Sequence, residues 1–218
     1  MTTSPGAPVE ALDAVRQAEA RLAETVARID DATMARPSLL PGWTVAHLLT
    51  HLARNADSHV RRTRASIDGV VVDQYPGGMD ERAAQIEAGA GRSAAEVRTD
   101  VAMATARLLE AWSDVPDYAW ANCTRDASGR VRRLDELPDR RWLEVEVHLV
   151  DLGCGPTHHD WPDAFVAARL PEMRAGAADR LVGDAELPAP GSVDPRDELA
   201  WLYGRLERAD LPVLGPWQ

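Results

Sequence analysis

The sequence predicts a mainly α fold: a bundle of four long helices followed by a small, separate C-terminal region. Three observations carry this. Apolar residues recur at three- and four-residue spacing over long stretches, residues that start and stop helices bracket those stretches, and the composition shifts toward helix breakers after Gly153.

The first helix runs from Val9 to about Ile29, where Leu12, Val15, Ala18, Leu22, Val26 and Ile29 form one apolar stripe. RPSLLPGW then interrupts it with two prolines and a glycine. Thr44 is the expected N-cap of a second helix, TVAHLLTHLARNADSHVRRTRAS, which carries His47, His51 and His59. After a loop containing YPGG, a short helical piece is expected from about Asp80 to the GAG at Gly89–Gly91. SAAE at Ser93–Glu96 reads as a capping box that opens a third long helix through Trp112. Between Val115 and Leu134, turn residues and brief alternation predict a loop or irregular hairpin. LPDRRWLEVEVHLVDLG opens with proline and closes on glycine, the start and stop of the fourth helix. Beyond it one further helix is expected, around Glu198 to Arg208. A boundary between residues 155 and 160 divides a domain over 1–157 from one over 158–218.

The 218 residues are long enough to bury a substantial core. A net charge of −11 disfavours nucleic acid and anionic membranes, both of which reward basic surfaces, so a small-molecule or protein partner is expected. All 24 basic residues are arginine, which excludes lysine Schiff-base chemistry. Cys123 and Cys154 are too few and too far apart for a disulfide scaffold or a CxxC metal site. No stretch approaches the roughly 18 apolar residues of a membrane span, and the N-terminus has no leader pattern, so a cytoplasmic protein is expected.

Within the apolar fourth helix, Glu144 and His148 stand four residues apart and therefore share one face. Taken alone, such a pair is more often a solvated carboxylate and imidazole than a ligand pair. Helix two offers His47 and His51 at the same spacing. Bundles build metal sites from such pairs on facing helices, and three N/O ligands with an open position suit Zn²⁺ or another divalent first-row ion.

Four blocks in order resemble the mycothiol-dependent maleylpyruvate isomerases: LPGWTVAHLLTHLARNAD, YPGGMDERAAQIEAGAGRSAAEV, LPDRRWLEVEVHLVDLG, and ELAWLYGR with LPVLGPW. The resemblance implies a DinB-like four-helix bundle with a small C-terminal α+β region that contributes to the active-site mouth. It implies that His51, Glu144 and His148 hold a divalent metal, most simply Zn²⁺, and that mycothiol is the thiol cosubstrate. Asn55 and Arg82 match the family pattern and are expected to reach an anionic substrate, with a purely structural role as the alternative. Arg205 is expected to act on the substrate as a catalytic arginine. Asp151 is expected either to orient a ligand imidazole from behind or to serve the helix end. His47 is read as solvated or as a neighbour of the ligands, and His59, His158 and His159 as surface residues. Trp43 is read as core or pocket wall. The implied reaction converts maleylpyruvate to fumarylpyruvate by thiol addition, bond rotation and elimination, in a monomer or small homo-oligomer. A mycothiol S-transferase and a non-catalytic small-molecule-binding helical protein are the alternatives.

Overall fold

The computed structural model describes residues 6–183 and 185–216. The chain divides between Cys154 and Gly155 into two compact units. The first contains α1 (Val9–Val26), α2 (Asp31–Met34), α3 (Val45–Ile67), α4 (Gly78–Ala90), α5 (Ala94–Ser113), the strands β1 (Cys123–Arg125) and β2 (Val131–Arg133), and α6 (Leu137–Asp151). The second contains α7 (Asp163–Ala175) and α8 (Pro195–Leu202).

The four long helices α1, α3, α5 and α6 form the bundle, with α3 packed on α5 and α6, and α1 on α6 and α5. Its core follows the helical period. Leu12, Val15, Ala18, Leu22 and Val26 of α1 are all buried, as are Leu48, Leu49 and Leu52 of α3 and Val97, Val101, Ala104 and Leu108 of α5. Local chemistry sets the helix starts. Thr44 accepts from His47 N–H at the head of α3, and Ser93 forms a reciprocal capping box with Glu96 at the head of α5. Pro138 lies in the first turn of α6, where its missing N–H costs nothing. The expected hairpin is present as β1–β2, an antiparallel pair with Thr124 opposite Arg132.

One buried polar layer crosses this core. Arg141 is fully buried, and its Nε donates to Glu19 at 2.7 Å while its Nη1 donates to Leu52 O at 2.8 Å and to Asn55 Oδ1 at 2.9 Å. It joins α1, α3 and α6. Removing either charge would leave the other buried and unpaired, a loss of about 3–5 kcal/mol.

The C-terminal unit departs from expectation in two places. The region after Gly153 is rich in breakers, yet Asp163–Ala175 is helical, with Phe165, Val166 and Arg169 buried and Pro171 carried inside the helix. The last helix is shifted toward the N-terminus: Asp194 caps it through Arg196 and Asp197 N–H, and it ends at Leu202. Gly204, at φ +70°, then takes the left-handed conformation that turns the chain. Arg205 therefore lies in the turn after α8 and not within a helix. Ala177, Trp201 and Leu202 centre this unit's core, and its β pairing among the described residues is the isolated bridge Leu181–Leu214.

Candidate metal centre

The site begins with how α3 is pinned. Beyond the backbone cap, His47 Nδ1 lies 2.7 Å from Thr44 Oγ1 and 3.2 Å from Thr44 N, while its Nε2 faces Glu87 of α4 at 3.1 Å. His47 thus closes the first turn of α3 and ties it to α4. The two helices approach closely at Gly89, where a Cβ would come within 2.3 Å of Thr50 Cγ2, so only glycine fits beside the residue preceding His51. One turn after His47, His51 enters the interior and is 4% exposed.

From α6, Glu144 and His148 meet it. Glu144 Oε2 is 3.1 Å from His51 Nε2 and 3.5 Å from His148 Nε2, and the two imidazoles stand edge to face with centroids 5.0 Å apart. Their ligand atoms all lie within 4.8 Å of one another. Ligands at tetrahedral corners around Zn²⁺, with arms of about 2.0–2.1 Å, stand about 3.3 Å apart. The two His–Glu separations bracket that value, so the donor set and its spacing fit a divalent ion.

Hydrogen bonds set the imidazole protons. Asp151 is 1% exposed and its Oδ2 is 2.9 Å from His148 Nδ1, which fixes the ring so that Nε2 faces Glu144. Arg82 Nη2, from α4, is 3.0 Å from His51 Nδ1, and its guanidinium lies 5.9 Å from the Trp43 ring centroid and 5.7 Å from that of Tyr75. Trp43 is itself 5.6 Å from the His51 ring, so it forms a wall beside the site. A cleft of about 550 Å³ opens next to Arg82, lined also by Arg54, Asp57, Arg61, Tyr75 and Glu81.

The electrostatics differ between the three groups. Burial depresses the His51 pKa to about 4, although Glu144 opposes the shift. Burial alone would raise the Glu144 pKa, yet hydrogen bonds from His148 and His51 hold it well below the usual carboxylate range. Burial likewise disfavours charged His148, but Asp151 and Glu144 outweigh it and raise its pKa.

The structure thus brings His51, Glu144, His148, Asp151 and Arg82 together in the first unit. Asn55 is also there, 2% exposed, with its Oδ1 accepting from Arg141 Nη1 at 2.9 Å. Arg205 belongs to the second unit, where its Nη1 donates to Tyr203 O at 2.6 Å. His59 is a correction: expected at the surface, it is 2% exposed and packs edge-on against Trp112. It stands eight residues after His51 and therefore shares its inward face. In the second unit His158 and His159 direct Nε2 toward Asp197 Oδ1, at 3.0 and 3.7 Å, while Arg208 Nη1 holds the other oxygen at 2.9 Å. Cys123 and Cys154 are outside both clusters.

The sequence reading missed the buried charges Glu19, Arg62 and Arg141. A signal existed for Glu19, an acid on the same stripe as Val15 and Leu22, where a solvated residue has no place.

Comparison with known proteins gives one family and one fold. Residues 15–153 match the family model described as the mycothiol maleylpyruvate isomerase N-terminal domain. The crystal structure of the mycothiol-dependent maleylpyruvate isomerase superimposes with a TM-score of 0.82 at 24% identity, covering 94% of this chain and 91% of that one. A histidine-to-alanine variant of that isomerase gives the same values. No curated protein matches the chain.

Proposed function

Because the chain belongs to the family of the mycothiol maleylpyruvate isomerase N-terminal domain, we propose that it is a metal-dependent cis–trans isomerase that converts maleylpyruvate to fumarylpyruvate with mycothiol as thiol cosubstrate. One observation carries the metal-dependent part: His51, Glu144 and His148 converge from two helices at the spacing of a three-ligand centre, with Asp151 behind His148. When bound, a divalent ion such as Zn²⁺ would favour the deprotonated thiol at its open position.

The reaction follows from the substrate's bonding. Rotation about a carbon–carbon double bond is blocked until a nucleophile adds to one end, and it is blocked again when that nucleophile leaves. The thiol is therefore regenerated, and the net change is geometric. The chain's own residues hold and orient. Asp151 keeps the His148 proton on Nδ1. Arg82 makes a more demanding contact: a guanidinium only donates, so His51 accepts from it at Nδ1 and carries its own proton on Nε2. Ligation through Nε2 needs the opposite tautomer. With a metal at Nε2, Arg82 would have to release His51 Nδ1, and it already lines the cleft where its fork would suit a substrate carboxylate.

The test is a metal analysis of the purified protein followed by a maleylpyruvate assay with and without mycothiol. About one metal per chain and thiol-dependent formation of fumarylpyruvate are expected. A metal-free protein with full activity would overturn the reading.

A further inference from the structure

Besides the centre on α3 and α6, a second group of metal-ligating side chains converges among the described residues: His158, His159 and Asp197, all in the second unit. His158 Nε2 lies 3.0 Å and His159 Nε2 3.7 Å from the same carboxylate oxygen, Asp197 Oδ1. The first contact is an ordinary hydrogen bond. The second is too long for one. Yet the His159 side chain, 63% exposed, stays on its neighbour instead of turning to solvent, with the two ring centroids 4.1 Å apart. A hydrogen bond to Asp197 accounts for one imidazole, not for two aimed at one oxygen.

The surrounding structure presents these three groups. Thr157 caps the turn His158–Asp160: its Oγ1 accepts from His159 N–H at 3.3 Å, and its own N–H donates to Asp160 Oδ2 at 2.7 Å. His158 packs edge-on against Trp161, which in turn contacts Phe165 and Tyr203 in the buried interior. Asp197 lies in the first turn of α8, and Arg196 Nε beside it donates to Trp161 O at 3.0 Å, tying the head of that helix to the chain just after the histidines. Arg208 Nη1 donates to Asp197 Oδ2 at 2.9 Å, which leaves Oδ1 to the imidazoles. A guanidinium beside a ligand opposes a cation, but Arg208 is also paired with Asp210, at 3.0 and 2.6 Å, and that carboxylate offsets its charge.

We propose that His158, His159 and Asp197 form a second divalent-metal site, open to solvent, for a first-row ion such as Zn²⁺. Their ligand atoms all lie within 4.8 Å of one another. The two His–Asp separations bracket the distance of about 3.3 Å between tetrahedral ligands of zinc. Two imidazoles select against Mg²⁺ and Ca²⁺, which take oxygen ligands. A ligating carboxylate whose other oxygen is held by a hydrogen bond is the usual supporting arrangement, and Arg208 supplies it. With His159 exposed, the ion exchanges with the medium, so the site fills when free ion is supplied, unlike the buried centre of the bundle. Its ion fastens the turn before α7 to the first turn of α8. The site stands apart from the isomerase reading.

The experiment dialyses protein free of any histidine tag against stepped concentrations of free Zn²⁺ and measures metal per chain. Wild type should take up one more zinc than His158→Ala or His159→Ala, with the far-UV circular dichroism of all three alike. Asp197→Asn should weaken that uptake by more than the roughly 10–100-fold that follows loss of a supporting contact. Excess Mg²⁺ should leave the uptake unchanged. Amide hydrogen exchange locates the ion: zinc should slow exchange over residues 157–161 and 194–199 in wild type and not in His159→Ala, a change at an exposed position. Equal uptake in wild type and both histidine variants, displacement of the extra zinc by Mg²⁺, or exchange in those segments unmoved by zinc overturns the site. His51→Ala separates the two centres, because it should remove the zinc of the bundle and leave this one. A zinc lost in His158→Ala but not in His51→Ala would therefore keep this site even if the bundle held no metal.

Discussion

Asp151→Asn tests whether the residues behind the ligands tune the centre. Asp151 is 1% exposed, and its Oδ2 lies 2.9 Å from His148 Nδ1. Asparagine keeps an acceptor there and removes the charge. A hydrogen bond to a charged group contributes about 1.5–3 kcal/mol and a neutral one about 0.5–1.5 kcal/mol, so the loss is about 1–1.5 kcal/mol. That corresponds to roughly tenfold weaker zinc binding. Asp151→Ala removes the bond altogether and should approach the hundredfold limit typical of such partners. Zinc affinity is read by competition with a chromophoric chelator at pH 8. Proton competition at His148, whose pKa Asp151 and Glu144 raise against burial, is weaker there than at neutral pH. Helical content is checked in parallel. If Asp151→Ala binds zinc as tightly as wild type with its fold intact, Asp151 serves only the helix end, and the orienting role is refuted.

His51→Ala should lose bound metal with its helical signal retained, whereas His47→Ala should keep the metal and lower Tm, a cap loss being about 0.5–2 kcal/mol; metal analysis and thermal melts separate the two. Arg205→Lys keeps the charge and loses the fork, so kcat/KM should fall at unchanged metal content; unchanged kinetics would remove Arg205 from the site. Metal-free protein should lose stability as pH falls from about 6.5 toward 4. His51 and His59 have folded pKa values below that of the unfolded chain, so the unfolded state binds more protons in this window; melts at stepped pH should show it, and His59→Phe should flatten the slope. A Cys123→Ser, Cys154→Ser double variant should retain thiol-dependent turnover, because burial raises the Cys154 pKa and neither sulfur is in the ligand cluster. Turnover by thiol-free wild type, lost in that variant, would place the nucleophile on the chain.

The helices of the bundle were legible because each carries its own period and its own punctuation. Thr44, Ser93 and the Pro138–Gly153 pair mark starts and stops that depend on neighbouring residues alone. His51, Glu144 and His148 had the right spacing, but spacing only says that residues share a face. That their faces meet follows from tertiary packing, and it was the resemblance of four blocks that selected His51 over His47. His59 was misplaced for the same reason: its inward orientation comes from α3 lying against both α5 and α6, which one helix cannot announce. The late helices failed differently. Pro171 inside α7 and the dense breakers around it obscured a weak apolar stripe, and Asp194, the true cap of α8, lies ahead of the apolar run that drew the expected boundary.

The loop between α2 and α3 gives the centre a property of its own. Leu39 N–H donates to Asp151 O at 2.8 Å, and Val45 N–H, at the first residue of α3, donates to Arg36 O at 3.0 Å. The head of the helix bearing His51 and the tail of the helix bearing His148 are therefore fastened by main chain to the same short loop. In a zinc finger the ion organises its ligands and the fold is lost with it. Here the bite between ligands is held by backbone and core, so an ion removed by a chelator should be replaced without refolding. Zinc, cobalt and manganese can then be exchanged in turn through one batch of protein, and differences in rate between them report the preference of the ion, uncoupled from any cost of assembling the chain around it.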